Sequence, residues 1–482
     1  MNITVKEIAS IVGGEIKGKK SRQNKIIKKI TTDSRSDCSE SLFFAIKGEK
    51  FDGHDYLSDA ITASASAVCV SSKKYKKLDI PFSVPAVIVP NTLIAYQKLA
   101  NYHRNKMGTY LIALTGSSGK TSTKEMLRTI FSQYYGDNNV IATEGNTNNH
   151  IGVPQNLFRL ESHHKVAIIE MGTNHPGEIR TLSKIAEPDM AIIVSIGNAH
   201  IEFLGSIEGV AKEKSAIFAK MKKNGIAIFP ADAHGLSIIK NACKKNKTYS
   251  FGTEESLDTD LKIKYLGSSF TGSSFEILFG ENSTKETVRW ELSGRHQALN
   301  AGAAALAAYL YGIRPSEIRE AFEKGVKLPK MRMKICEIRG IMVVNDAYNA
   351  NPDSMKSALD WLLECLEHRQ MIEKTNVYIV LGDMLELGKD SEKFHKEILD
   401  YAVAKFADSK IAVVGQAMSN AAKKIKKNVF AYPDSSSVAK VLVGKLKRGD
   451  ILFIKGSRGI GLEKIEMELA NKADIRIKTC QG

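Results

Sequence analysis

The chain has 482 residues and a net charge of +16, with 43% hydrophobic and 25% charged residues. The length suits about three domains, and the composition is ordinary for a soluble globular protein. No apolar run approaches the roughly 18 residues that a spanning helix needs, so no membrane span is expected. Residues 1–7 contain no apolar signal core. Cys38, Cys69, Cys243, Cys336, Cys365 and Cys480 are scattered without a CxxC pair, which argues against a zinc site or a disulfide framework. A cytoplasmic setting follows. The lysines form short groups at 17–20, 73–77 and 423–427 with no basic-aromatic stripe. That pattern predicts a solvated lysine-rich surface and anionic small-molecule partners, and no nucleic acid.

In chain order, residues 1 to about 90 hold strand-like pieces at 41–46, 67–70 and 86–89 between turn signals. A helical pattern at 92–106 leads into a second section. Its strands are predicted at 110–112, 166–169 and 190–196, continuous apolar runs suited to a buried parallel sheet. A helix is predicted at 122–131 and an Ala-rich one at 298–311. Residues 249–291 read as several short strands, an excursion from the α/β pattern. A third section begins between 314 and 331. Its strands at 341–344, 377–381, 411–414 and 451–454 alternate with helices, again an open α/β sheet whose ligands belong at the strands' carboxyl ends. No internal repeat or low-complexity tract interrupts the chain.

The strongest signal is Thr115-Gly116-Ser117-Ser118-Gly119-Lys120-Thr121, between a strand and a helix. Leu114 stands where the longer GxxxxGK[ST] form has its first glycine, so the fit is the shorter TGxxGKT loop. Glycines let backbone N–H groups approach phosphate oxygens, the helix start adds partial positive charge, Lys120 adds a full one, and Thr121 can ligate Mg²⁺. Polar clusters follow strand after strand: Glu170 with Asn174, Asn198 with His200, and the amide-rich loop Asn146-Thr147-Asn148-Asn149. Others follow in the third section, at Asn345–Met355, Leu381–Gly388 and Lys455–Gly459. A carboxylate at a strand end beside a phosphate loop suits Mg²⁺.

These motifs together resemble the Mur ligases, ATP-dependent amide-forming enzymes of peptidoglycan synthesis, over essentially the whole chain. Asp346–Met355 and Leu381–Gly388 resemble the members that add D-alanyl-D-alanine. Thr32–Arg35, Phe43–Gly48 and Asp52–His54 resemble the N-terminal UDP-sugar domain of the tripeptide- and D-Ala-D-Ala-adding members. The Asp-Asn-Pro-Arg motif of the diaminopimelate-adding members is absent. The resemblance implies an α/β fold in three domains: a small α/β UDP-binding domain (1–92), a central ATP-binding domain with a mostly parallel sheet (93–313), and a C-terminal Rossmann-like domain (314–482). It implies ATP, two Mg²⁺ ions, a monomer, and the substrates UDP-N-acetylmuramoyl-tripeptide and D-alanyl-D-alanine.

By the same resemblance, Thr115, Gly116, Ser117, Ser118, Gly119 and Lys120 hold the triphosphate. Thr121 and Glu170 ligate one Mg²⁺, and His200 and a carbamylated Lys214 a second, with Glu170 shared. Catalysis is carried by Lys120, Lys214, His200 and Glu170. His296 and Asn300 lie near adenine, and Arg332 and Asp346 reach the nucleotide from the third domain. Ser34, Arg35, Lys47, Gly48, Asn146, Thr147, Asn148, Asn149, Tyr348, Asn349 and Asn351 bind substrate. The tripeptide carboxylate takes the γ-phosphoryl group, and the D-Ala-D-Ala amine then displaces phosphate. Gln297, Ala216, His150 and Gly459–Gly461 depart from the family's usual residues. A folylpolyglutamate-type ligase and a basic P-loop nucleic-acid motor are the alternatives; missing aromatic stacking motifs argue against the motor.

Overall fold

The computed structural model describes residues 1–280, 284–329, 331–368, 375–425, 428–471 and 478–479. Lys426, Lys427 and Cys480 lie outside them. Among the described residues three large sheets succeed one another along the chain, with a two-stranded ladder of Ile3–Thr4 and Ile26–Ile27 beside the first.

The central sheet has nine strands, and its middle dictates the site. Tyr110–Thr115 lies between Val166–Glu170 and Met190–Ile193, both parallel to it. Glu170 pairs with Leu114, and Ile193 with Thr115. The three strands therefore end level, and the phosphate loop, the segment after Glu170 and the segment leading to His200 leave one edge together. Each strand is apolar on both faces because helices cover both sides. Helix Lys120–Tyr135 buries Met126, Leu127, Ile130 and Phe131, and packs on helix Arg295–Tyr311. Ala301, Ala304, Ala305 and Ala308 of the latter are fully buried, and these small side chains let the backbones approach. Each buried Leu, Ile or Phe contributes about 1.5–3 kcal/mol.

The several short strands expected at 249–291 are present, with no helix between them among the described residues, and they extend the same sheet. Lys247–Thr253 and Leu261–Ser269 continue it in parallel, and Gly272–Phe279 and Thr284–Trp290 close it antiparallel. Burial alternates along Gly272–Phe279, so one face is core and the other partly wet. That alternation, with Gly and Ser at the bends, reads in sequence as broken pieces.

The C-terminal sheet orders its strands Val429–Tyr432, Lys410–Val414, Val377–Gly382, Ile451–Lys455, Ile341–Asp346, Lys334–Ile338 and Lys478–Thr479, the first five parallel. Lys455 pairs with both Asp346 and Leu381, so polar segments again emerge at one edge. The N-terminal sheet has five strands, four of them parallel. Helix Thr92–Met107 joins it to the central sheet. Ala95, Tyr96 and Leu99 belong to the N-terminal core and Ala100 to the central one. Asn91 caps its start by accepting from Ile94 N at 3.1 Å. The C-terminal domain docks on the central one through Glu364, which accepts from Tyr265 Oη at 3.0 Å and Ser268 N at 2.8 Å. Trp361 meets Phe270 edge-on at 5.7 Å beside it.

Candidate active site

The phosphate loop needs its glycines. Gly119 sits at φ +78° as the N-cap of helix Lys120–Tyr135, and a Cβ there would collide with Asn300 Oδ1. Only glycine meets both conditions. The loop is pinned to the segment beside it: Ser117 N donates to Ser195 O at 3.0 Å, Ser117 Oγ to Gly197 O at 3.0 Å, and Ser118 N to Ser195 Oγ at 2.9 Å. The first N–H groups of the helix have no side-chain cap and form a ready anion site. Lys120 Nζ donates to Gly116 O at 2.6 Å. Burial holds its ammonium below lysine's usual value, Glu170 opposes the shift and Arg332 adds to it. A bound triphosphate reverses that pressure.

Thr121 joins two charges. Its Oγ1 donates to Glu170 Oε2 at 3.0 Å and accepts from Arg332 Nη2 at 2.9 Å. Glu170 Oε1 accepts from Asn148 Nδ2 at 2.9 Å, and its backbone N donates to Thr143 Oγ1 at 2.9 Å. Part of the amide-rich loop thus orients this carboxylate. The neighbour of Lys214, Glu213, is engaged elsewhere: its oxygens accept from Gly177 N at 2.7 Å and Ile179 N at 2.8 Å, at the start of helix Glu178–Ala186. Burial, then Lys120, pushes the Lys214 amine well below its usual value.

The third domain supplies the facing wall. The Arg332 guanidinium lies 4.0 Å from the Tyr348 ring centre, and Arg458 is 5.5 Å from the same ring. Lys455 Nζ donates to Asp346 Oδ2 at 2.5 Å. Asp353 accepts from Asn198 N at 2.8 Å, and Glu386 Oε2 lies 2.6 Å from His200 Nδ1. Between the walls is a cleft of about 570 Å³. Its lining combines the cations Lys120, Arg332, Lys455 and Arg458, amides and hydroxyls with the carboxylates Glu49, Glu170, Glu178, Asp346 and Asp353, so it offers groups for anions and for a cation alike.

Three comparisons bear on this arrangement. Family profiles match in the same order as the sheets: the Mur ligase family catalytic domain at 26–106, the Mur ligase middle domain at 114–308, and the Mur ligase glutamate ligase domain at 331–458. The UDP-N-acetylmuramoyl-tripeptide–D-alanyl-D-alanine ligase of Bacillus subtilis is 34% identical over 478 residues, covering 97% of this chain and 98% of that protein. The chain belongs to the Mur ligase family. The Escherichia coli ligase of the same name is 32% identical, over 96% of this chain and 98% of its own. A crystal structure of MurF from Acinetobacter baumannii superposes with a TM-score of 0.85 at 28% identity, covering 98% and 99% of the two chains. MurF from Thermotoga maritima in complex with ADP gives 0.78 at 26% identity over 92% and 98%.

In this Mur ligase, Ser117–Thr121, Asn146, Asn148, Asn149, Glu170, His200, His296, Asn300, Arg332, Asp346, Tyr348, Asn349 and Asn351 line the cleft. Thr115, Gly116, Thr147 and Lys214 do not. Thr115 Oγ1 donates inward to Met171 O at 2.9 Å, and Thr147 Oγ1 to Glu144 O at 2.6 Å. Ser34, Arg35, Lys47 and Gly48 lie outside the cleft lining. Arg35 is exposed and chelates Asp33 at 2.7–2.8 Å, while Glu49, beside Gly48, reaches the cleft. Sequence reasoning missed Glu49, Asp353, Lys455 and Arg458 as individuals. Lys455 and Arg458 sit in a motif already singled out, and Glu49 carries no local signal. Gln297 accepts from Asn300 Nδ2 at 3.2 Å, so this departure from the family orients a neighbour. Asp383, in the Leu381–Gly388 motif, faces away and caps helix Gln416–Ala422 through Ala417 N and Met418 N.

His296 yields a pH prediction. Burial lowers its imidazole to about 4, with Asp346 opposing and Lys455 adding. The folded ring stays neutral while the unfolded chain takes up a proton below pH about 6.5. Stability is therefore lost as pH falls from 6.5 to 4, by about 3 kcal/mol from this one group. Urea unfolding at pH 7 and pH 4.5 should show a smaller acid loss for His296→Gln than for the native chain; equal losses would remove His296 from the account.

Proposed function

We propose that this Mur ligase joins D-alanyl-D-alanine to UDP-N-acetylmuramoyl-tripeptide with ATP, through an acyl phosphate, in peptidoglycan precursor synthesis. The observation that carries the reading is the cleft shared by the phosphate loop and the polar edge of the third domain. The relatives' shared name supplies the substrates. Residues 1–92 receive the UDP-sugar, 93–313 the ATP, and 314–482 close over both, in a monomer working in the cytoplasm.

Two anions must meet here, a peptide carboxylate and a triphosphate. Lys120, the N-terminus of helix Lys120–Tyr135, Arg332 and Lys455 offset their repulsion, and that electrostatic preorganisation is the larger part of catalysis. The carboxylate oxygen attacks the γ-phosphorus and ADP leaves; the amine then attacks the acyl carbon and phosphate leaves. Docking of the third domain keeps water from the acyl phosphate. Asn146, Asn148, Asn149, Tyr348, Asn349 and Asn351 orient the peptide. His296 and Asn300 lie toward the base, and Arg332 and Asp346 toward the phosphates and ribose.

The site also fits a hard cation. Among the described residues no three His, Cys, Asp or Glu side chains gather as a ligand set. The donors that do converge are the Thr121 hydroxyl and the Glu170 carboxylate, 3.0 Å apart, oxygen ligands that suit Mg²⁺. Thr121 and Glu170 would hold one Mg²⁺, and His200 with a carbamate on Lys214 a second; these ions supply charge neutralisation. The lowered Lys214 amine is the neutral form that adds to CO₂, releasing one proton and leaving an oxygen anion.

Phosphate release should require D-alanyl-D-alanine together with UDP-N-acetylmuramoyl-tripeptide. Equal release with single amino acids or glutamate would replace this reading with another amide ligase. Lys120→Ala should lose about a thousandfold in turnover; a near-native rate in the same assay would reject the phosphate assignment. Lys214→Ala should lose activity that added short-chain carboxylates partly restore. A variant left fully active without them would dispose of the carbamate.

A further inference from the structure

The segment holding His200 is gripped from the third domain. Asn198 N donates to Asp353, and Glu202 N to Glu386 O at 3.3 Å. Gly388 lies against Glu202 so closely that a Cβ on it would sit 3.1 Å from Glu202 Cα. Both facing residues have left-handed backbones, His200 at φ +56° and Glu386 at +63°. Non-glycine residues rarely adopt that conformation, and when they do they cluster at functional sites. The loop presenting Glu386 is itself built rigidly. Met384 N donates to His395 Nε2 at 2.8 Å and Leu385 N to Ser457 Oγ at 3.0 Å.

His200 Nδ1 is buried. It lies 2.6 Å from Glu386 Oε2, at ion-pair distance, and among the described residues it has no other polar partner. A histidine that ligates through one ring nitrogen commonly donates its other N–H to a carboxylate, which fixes tautomer and orientation.

We propose that Glu386 is a positioning residue for His200: docking of the third domain carries its carboxylate to Nδ1, keeps the proton there, and leaves Nε2 free as the donor atom facing the cleft. This rests on the reading of His200 as a cation ligand. Domain docking and the ligand set then form one event, because the carboxylate and the imidazole come from different domains.

The test uses full-length protein labelled with ¹⁵N-histidine, without metal or nucleotide. Long-range ¹H–¹⁵N correlation reads the His200 tautomer, assigned by its loss in His200→Gln. At about pH 9, where an imidazole is in its neutral form, the ring should hold its proton on Nδ1, and Glu386→Ala should shift it to a tautomer mixture. Turnover of Glu386→Ala should fall about 10–100-fold with little change in KM for ATP, and Glu386→Gln, which keeps an acceptor, should recover part of it. An unchanged His200 signal in Glu386→Ala overturns the proposal. So does a loss that Glu386→Gln does not relieve, accompanied by domain opening in X-ray scattering, which would make Glu386 a latch only. Native turnover in His200→Gln would instead reject the ligand reading, and the tautomer result would be unaffected.

Discussion

Thr121 Oγ1 gives its proton to Glu170 and receives one from Arg332, so a single hydroxyl couples an anion of the central sheet to a cation of the third domain. Much of the cleft depends on this link. Glu170 can be there because the strand Val166–Glu170 ends level with the phosphate strand. Arg332 can be there because the third domain is docked. The buried carboxylate has the compensation that an ionised group in low dielectric requires, and the guanidinium is braced by its stack on Tyr348. A triphosphate entering this cleft brings negative charge to Lys120 and Arg332 and competes with Glu170 for both, so binding and domain arrangement are parts of one electrostatic balance.

The third domain offers its own matching edge. Lys455 and Asp346 stand at the ends of adjacent parallel strands, whereas in the central domain Glu170 ends a strand and Lys120 begins the helix after the neighbouring strand's loop. In each sheet, parallel register converts one-dimensional strand endings into a two-dimensional polar surface. The N-terminal domain contributes less to the cleft, through Glu49. The shared helix Thr92–Met107 ties its position to the central core.

What the sequence could reveal divides along the same physical line. The phosphate loop and Glu170 were legible because each follows an apolar run suited to a parallel strand, Asn148 because its loop is dense in amides, and His296 only through the family resemblance. Residues 249–291 were legible as several short strands but not as a continuation of the central sheet, because half-buried alternation broken by Gly and Ser says nothing about strand order. The bulge between Tyr265 and Gly267 breaks the alternation further. The Leu381–Gly388 segment was legible as a polar edge, but not that its Asp383 turns away to helix Gln416–Ala422. The contacts Asn198–Asp353 and His200–Glu386 had no local sign at all. They join segments far apart in the chain, and only docking of two separately formed sheets creates them.

The same distinction explains Lys214. Its neighbour in sequence, Glu213, would be the natural partner for an ammonium. Yet Glu213 is already engaged by two backbone N–H groups at the start of helix Glu178–Ala186, a favourable place for a negative charge. The lysine is left in a buried setting beside a second lysine, Lys120, and both effects favour its neutral amine. If Glu213 turned to pair with Lys214, the helix start would lose that carboxylate and the downward pressure on the amine would ease. The capping bond is therefore also a chemical constraint. By keeping one carboxylate occupied, the fold leaves burial and Lys120 to press the Lys214 amine below its usual value.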